Sequence, residues 1–155
     1  MVMKLKNIIK KFIPWMDMDE KIYKIYLKSN YFYKKKFKII SYKYFYKNFR
    51  KFNCYISPQA ELSEKIKFKH PMGIVIGAEC KIGKNVSIYQ NVTLGRKEGN
   101  LIGCPTIEDD VIIYCNSTVI GNVTIGKGAV IGCNSVVLRD VKPGEVVSGI
   151  VKWRC

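Results

Sequence analysis

Histidine is the residue type here best suited to act as a general base near neutral pH, and the 155-residue chain contains a single one, His70. An alcohol that attacks a thioester must lose its proton as the new bond forms, and a neighbouring imidazole can accept that proton. Backbone N–H groups can stabilise the resulting oxyanion. A lone histidine is more often structural, so the catalytic interpretation of His70 depends on where the fold places it.

The fold is indicated by a six-residue repeat of aliphatic residues, followed four positions later by a column of small or β-branched residues. A period of six fits neither a strand, which alternates, nor a helix, which repeats every 3.6 residues or so. It predicts a mainly β fold, a parallel β-helix in which three hexapeptides form one triangular turn and stacked turns bury the aliphatic column. The uninterrupted part of that column is Ile107, Ile113, Val119, Ile125, Ile131 and Val137.

The repeat slips in two places. The step from Phe68 to Ile76 is eight residues instead of six, and His70 lies inside it. The step from Leu94 to Ile107 is thirteen residues, which predicts a loop between residues 96 and 104. Extra residues in a solenoid form loops on one face, which is often the working face. Both slips are therefore candidate positions for chemistry.

The positive charge of the chain is concentrated at its N-terminal end. The formal net charge is +15, of which residues 1–52 contribute +12 and residues 53–155 only +3. This shift predicts a basic, aromatic helical segment over residues 1–52 and a hexapeptide-repeat domain over residues 53–155. Asp17 and Glu20 form a capping-box pattern at the start of a first helix. A second helix is expected from about residue 30 to residue 50. The face expected for it consists of Tyr33, Phe37, Ile40 and Tyr44.

The six cysteines do not have the spacing of metal ligands. No CxxC motif occurs and only one histidine is available, so we predict no metal site and treat the cysteines as reduced, structural thiols. A covalent role for Cys104 is disfavoured, because a reactive thiol needs a base or a positive charge beside it and the sequence indicates none.

The repeat region resembles a known family. The strings HPMGIVIGAECKIGKNVSIYQNVTLG, PTIEDDVII and VIGNVTIGKGAVIGCNSVVLRDV resemble the serine acetyltransferases and their relatives that O-acetylate sugars of surface polysaccharides. The resemblance implies a left-handed parallel β-helix, acetyl-CoA as the donor substrate and a homotrimer with active sites between subunits. It implies that His70 is the catalytic base. Gly95 is then expected beside the thioester, and Cys115 and Cys133 at positions whose backbone binds the pantetheine arm.

Three departures from the family concern the acceptor. Lys69 stands where serine acetyltransferases have an aspartate before the histidine, and Tyr55 stands where they have the carboxylate that orients it. Residues 103–105 read Gly-Cys-Pro where the family has Arg-His-Pro. A small zwitterion needs charged partners, especially a bidentate arginine. We therefore expect a sugar hydroxyl as the acceptor, with L-serine as the alternative and a non-catalytic β-helix scaffold as the second alternative.

The expected location is the cytoplasm. No apolar run is long enough to span a bilayer, and the N-terminal residues lack the cleavage pattern of a signal peptide. The basic helices are expected to pack on the β-helix with their lysines in solvent, or to lie on the inner face of a membrane with anionic lipids. Nucleic-acid binding is not expected, because no recognised motif accompanies the charge.

Overall fold

The computed structural model describes residues 18–96 and 103–152, which form two helices followed by fifteen short strands. Helix α1 is Met18–Lys34 and helix α2 is Lys38–Phe52. Neither helix is long and apolar enough to cross a membrane, within the part of the chain described. The strands are β1 Tyr55–Ile56, β2 Glu61–Leu62, β3 Lys67–Phe68, β4 Val75–Ile76, β5 Lys81–Ile82, β6 Ser87–Ile88, β7 Thr93–Gly95, β8 Thr106–Ile107, β9 Ile112–Ile113, β10 Thr118–Ile120, β11 Thr124–Ile125, β12 Val130–Ile131, β13 Val136–Val137, β14 Val146–Val147 and β15 Ile150–Val151.

The strands form three parallel sheets, and every third strand along most of the chain belongs to the same sheet. Sheet I has the order β1-β4-β7-β10-β13-β15, sheet II β11-β8-β5-β2 and sheet III β14-β12-β9-β6-β3. One strand from each sheet makes one coil of a triangular β-helix. The predicted parallel β-helix with a short N-terminal helical segment is confirmed.

The interior of the β-helix is filled by the aliphatic column that the repeat predicts. Each flat side contributes one inward side chain per coil, and these side chains stack in register with those of the adjacent coils. The column is almost fully buried, which makes it the main source of stability for a solenoid whose single coils cannot bury their apolar side alone. In sheet III it consists of Phe68, Ile88, Ile113, Ile131 and Val147.

Strand pairing confirms both slips of the repeat. Regular neighbours are separated by three hexapeptides, as Val75 and Thr93 are. Tyr55 pairs with Val75, beyond that regular spacing, because two extra residues lie in the segment that contains His70. Thr93 pairs with Thr118, more than a full hexapeptide beyond the regular spacing, because the loop after Gly95 interrupts the coil.

The two helices differ from the expected ones. The chain breaks at residues 35–37, where Lys36 has a φ of 64°, and not near residue 30. The expected face of Tyr33, Phe37, Ile40 and Tyr44 is therefore wrong, because its first two members precede α2. The buried face of α2 instead consists of Ser41, Phe45, Asn48 and Phe52.

Small polar residues explain this difference, since they hold the two helices close together. The hydroxyl of Ser29 donates to the carbonyl of Ser41 at 2.9 Å, and that of Ser41 donates to the carbonyl of Ser29 at 2.8 Å. Asn48 donates to the carbonyl of Ile22 at 3.1 Å. Hydrophobic spacing cannot reveal a seam made of hydroxyl and amide groups. The expected cap Asp17 lies outside the described residues.

Helix α1 is anchored on the first coil by side chains that reach backbone carbonyls. The hydroxyl of Tyr26 donates to Ala60 O at 2.6 Å and accepts from Leu62 N at 3.2 Å. The hydroxyl of Tyr23 donates to Ser63 O at 2.9 Å. Helices and coils thus share one hydrophobic core. The division of the chain at residue 52 stays a prediction.

Candidate active site

Three of the four candidate residues lie on one edge of the β-helix, the edge where the chain passes from sheet III to sheet I. We call it the histidine edge; it comprises residues 69–74, 89–92, 114–117 and 132–135 of successive coils. His70 lies on the first coil, Cys115 on the third and Cys133 on the fourth. Backbone hydrogen bonds join adjacent coils along this edge, including Asn91 N to Met72 O at 2.8 Å and Asn134 N to Cys115 O at 3.0 Å.

His70 projects from the widened turn of the first coil. Its φ of 49° lies in the left-handed region, which Asn91, Asn116 and Asn134 also adopt on the successive coils of this edge. The flanking backbone is held by Lys69 N donating to Ile88 O at 2.8 Å and Gly73 N donating to Asn53 O at 3.0 Å. The side chain of His70 itself is exposed. The turn therefore presents the imidazole to solvent on a firmly tied backbone.

Two tyrosines, which the sequence did not single out, continue from His70 along the edge. The ring of Tyr89 lies 6.4 Å from that of His70, and the rings of Tyr89 and Tyr114 are 4.9 Å apart with a tilt of 37°. Both follow an inward isoleucine of sheet III, so the register that stacks Ile88 on Ile113 also stacks the tyrosines. That shared position in the repeat was the signal available in the sequence.

The imidazole of His70 has no hydrogen-bonded carboxylate in the described part of the chain. Tyr55, which stands at the position of the family's orienting carboxylate, packs edge-to-face on Phe45 of α2 with ring centroids 4.8 Å apart. Lys69, beside the histidine, is exposed. The first coil thus presents an imidazole without a hydrogen-bonded acidic partner of its own.

Cys115 and Cys133 occupy the same place on adjacent coils, as their separation by three hexapeptides predicts. Cys115 is half-buried and Cys133 is exposed, and both are free thiols. The backbone beside them is fixed from within by two buried serines. Ser117 and Ser135 both donate to the carbonyl of Gly132, at 2.7 and 2.6 Å. Both cysteine positions thus carry small side chains on a backbone that these hydrogen bonds hold in place.

Gly95 lies on a different edge. It ends β7 where the chain passes from sheet I to sheet II, and its carbonyl accepts from Gly121 N at 3.0 Å. A Cβ at Gly95 would lie 3.2 Å from Cδ1 of Ile120, so a larger residue there would need that side chain to shift slightly. Within one chain, Gly95 therefore lies across the width of sheet I from the histidine edge.

The base of the long loop holds a cluster that the sequence did not reveal. Arg96 forms an ion pair with Glu79, and hydrogen bonds to Cys104 and Glu79 raise the pKa of Arg96. The thiol of Cys104 donates to Ala78 O at 2.7 Å. Burial, followed by the neighbouring Cys104, raises the pKa of Cys80 well above its ordinary value. Cys104 thus has a positive neighbour, but its proton is engaged with a carbonyl.

Comparison with known proteins identifies the repeat. Residues 104–139 match the family model described as bacterial transferase hexapeptide (six repeats). A serine acetyltransferase of Bacillus licheniformis is 45% identical over 98 residues, which are 61% of this chain and 44% of that protein. One of Synechococcus elongatus is 42% identical over 103 residues, 60% of this chain and 32% of that protein.

Solved structures show the same similarity to serine acetyltransferases. The serine acetyltransferase of Vibrio cholerae superposes with a TM-score of 0.80 at 32% identity, covering 84% of this chain and 51% of that one. A solved serine acetyltransferase in complex with CoA superposes with a TM-score of 0.77 at 31% identity, covering 83% of this chain and 53% of that one. This chain therefore spans about half the length, or less, of these relatives.

The fold is a left-handed β-helix, and residues 104–139 carry the hexapeptide repeat of bacterial transferases. The chain is similar to serine acetyltransferases, and the resemblance found in the sequence is confirmed.

Proposed function

We propose that the chain is an acetyl-CoA-dependent O-acetyltransferase in which His70 is the general base. The observation that carries the proposal is the position of His70. It is exposed on a left-handed turn, on the same edge as Cys115 and Cys133. A structural histidine would be expected to be buried or hydrogen-bonded, and His70 is neither among the described residues. Kinship with acetyltransferases supports the choice of reaction.

The reaction follows from the groups on the histidine edge. The imidazole of His70 accepts the proton of the acceptor hydroxyl while that oxygen attacks the thioester carbonyl of acetyl-CoA. Backbone N–H groups stabilise the tetrahedral oxyanion. The intermediate collapses with loss of the CoA thiolate, which takes the proton from the imidazolium. The products are the O-acetyl ester and free CoA, and no metal is required.

The backbone beside Cys115 and Cys133 is proposed to bind the pantetheine arm of acetyl-CoA. The CoA complex of a relative supports a CoA site in this fold. The two small side chains leave room along the coils, and the buried serines hold the peptide groups in place. Gly95 joins this site only through a second subunit, because it lies on another edge of its own chain. A homotrimer, as the family resemblance implies, is therefore part of the proposal.

L-serine is the first acceptor to test. The similar proteins are serine acetyltransferases, so the comparisons favour the alternative over the sugar acceptor that we preferred from the sequence. Serine would need groups for its carboxylate and ammonium. Arg96, already paired with Glu79, is a guanidinium that a neighbouring subunit could supply.

A sugar hydroxyl remains a second candidate because of one specific observation. Tyr89 and Tyr114 form an aromatic surface next to His70, and Lys69 takes the place of an acidic neighbour. Aromatic rings that carry a hydroxyl combine an apolar face with a hydrogen-bonding group, which suits a large polar acceptor better than a small zwitterion.

The deciding experiment measures CoA release from acetyl-CoA, with L-serine and with hexoses as acceptors, and acetyl-CoA binding by calorimetry. His70→Ala is compared with Cys133→Ser, a mild change on the same edge. Serine-dependent release that is lost only in the histidine variant establishes a serine acetyltransferase. Release only with hexoses supports the second candidate. Failure of the wild-type protein to bind acetyl-CoA would refute the proposal and favour a scaffold.

A further inference from the structure

Helix α2 has a second apolar stripe that faces away from the core. Its buried face is made by Ser41, Phe45, Asn48 and Phe52. On the outer side, four large apolar or aromatic residues recur at spacings of three and four, so they form one stripe. All four are exposed: Ile39, Tyr42, Tyr46 and Phe49.

Cations line one flank of this stripe. Lys43, Lys47 and Arg50 recur at helical spacing beside it, and together with Tyr46 and Lys51 they line a shallow depression. At the helix start, the turn between α1 and α2 adds four more lysines around Phe37. Phe37 is 58% exposed and Ile39 is 89% exposed. The whole surface, residues 34–51 on the outer side, is called the basic apolar face.

The charge of this region is one-sided. Residues 21–60 contain eleven lysines and arginines and no aspartate or glutamate. Like charges would repel a second copy docked through the same face, and the N-terminal residues 1–17, with four lysines and one acid, have the same sign. A partner that complements the face must be anionic and must also accept exposed apolar side chains.

We propose that the basic apolar face docks on the surface of a bilayer that contains anionic lipids. Lysines beside an interfacial apolar stripe are the pattern by which helices lie in the headgroup region. Nucleic acid would complement the positive charge but provides little apolar surface on which Ile39 could be buried, and the aliphatic side chain of Ile39 is almost fully exposed.

Docking through this face would place the candidate active site near the membrane. Phe45 on the buried side of α2 packs on Tyr55 of the first coil, and helix and coil are continuous through one core. His70 lies on that same first coil, the coil next to the helices. The β-helix would then extend from the bilayer with its His70 end closest to the lipid.

The test measures binding of the full chain to vesicles by co-sedimentation. Vesicles of phosphatidylcholine alone are compared with vesicles that also contain phosphatidylglycerol. The variant Ile39→Ser/Tyr46→Ser removes apolar contact, with Val146→Ser/Ile150→Ser as a control that changes exposed apolar residues on the β-helix. The variant Lys43→Gln/Lys47→Gln removes charge, with Lys81→Gln/Lys142→Gln as its control.

We expect binding only to the anionic vesicles, weakened by salt. Each lysine removed from the face should weaken binding about fivefold, and the apolar variant should weaken it by more than about tenfold. Both controls should bind like the wild type. Equal binding to neutral vesicles, unchanged binding by either face variant, or a change of oligomeric state in a face variant would overturn the proposal. So would tighter binding to a DNA or RNA duplex through the same residues. None of these outcomes depends on catalysis.

Discussion

Replacing Tyr26 with phenylalanine tests how the helices are joined to the β-helix. Tyr26 is 2% exposed, and its hydroxyl bridges two backbone groups of the first coil. In Tyr26→Phe the N–H of Leu62 loses its acceptor, whereas the carbonyl of Ala60 keeps Asn30 as a donor at 3.2 Å. One partly buried donor is thus left unsatisfied, and we expect the free energy of unfolding to fall by about 1–2 kcal/mol.

The same hydroxyl predicts a dependence on alkaline pH. Burial is the main cause that raises the pKa of Tyr26 from 10.0 to about 12. The folded protein keeps the phenol proton up to that pH, whereas the unfolded chain loses it near pH 10. Unfolding therefore releases a proton in this window, and the contribution of Tyr26 to stability is lost as the pH rises through it, by roughly 2–3 kcal/mol. The phenylalanine variant has no such loss.

Urea unfolding followed by circular dichroism at pH 8 and at several values up to pH 12 measures both effects. The stability gap between wild type and Tyr26→Phe should be largest at pH 8 and should close as the pH approaches 12. Tyr46→Phe, which changes an exposed tyrosine, serves as the control and should stay within about 0.5 kcal/mol of the wild type. Equal stability of Tyr26→Phe and wild type at pH 8, or a gap that is constant with pH, would refute the reasoning.

Three further predictions concern the active site and the core. In steady-state assays His70→Gln should lower the rate of CoA release by about 10²- to 10⁴-fold, whereas acetyl-CoA binding measured by calorimetry should stay unchanged. An unaltered rate would exclude His70 as the general base. Cys133→Ser should leave the acetyl-CoA dissociation constant unchanged, whereas Cys133→Trp should weaken acetyl-CoA binding by more than about tenfold, because the indole would occupy the space proposed for the ligand. Equal affinities of the two variants would exclude Cys133 from the binding site. Ile131→Ala should lower the free energy of unfolding, measured in urea, by about 2–5 kcal/mol, because Ile131 is fully buried in the aliphatic column. Val146→Ala changes an exposed residue and should lower it little. Equal losses in the two variants would contradict the proposed core.

The fold was predictable because one physical requirement repeats along the sequence. Every inward side chain must fill the same triangular interior, so the aliphatic column records the geometry directly. The slips of the repeat were equally predictable, since the two extra residues before Ile76 shift the pairing of β1 with β4 by two residues. The sequence also indicates where the chain bends at the corners of the β-helix. Residues with positive φ there are often asparagine, which tolerates the left-handed region.

The helices were less predictable because their packing is decided by polar groups. Hydrophobic spacing favoured one face made of Tyr33, Phe37, Ile40 and Tyr44. The structure instead joins the helices by reciprocal hydrogen bonds between Ser29 and Ser41. A pair of serines gives no hydrophobic signal, although it lets two backbones approach. The break at residues 35–37 brings the two helices together so that these serines face each other.

The candidate site was predictable only in part. Cys115 and Cys133 stack because three hexapeptides separate them, and His70 lies on their edge because its slip precedes the same sheet. The pairing of Arg96 with Glu79 and its proximity to Cys104 depend on which residues face each other on neighbouring coils across the long loop. That information becomes available only when the register is known. The roles proposed for the four candidate residues and the expected cytoplasmic location stay predictions.

The question of the acceptor and the question of the membrane are coupled by the position of His70 on the first coil. A freely diffusing amino acid gains nothing from an enzyme that is held at a bilayer. An acceptor carried on the same bilayer gains effective concentration, because its encounter with the site becomes confined to the surface. Docking through the basic apolar face would therefore favour a sugar presented on a lipid over serine. If the protein does not bind vesicles and acetylates serine, the lysines of the basic apolar face serve only solubility. The missing carboxylate partner of His70 is then either not needed for catalysis or supplied by a neighbouring subunit.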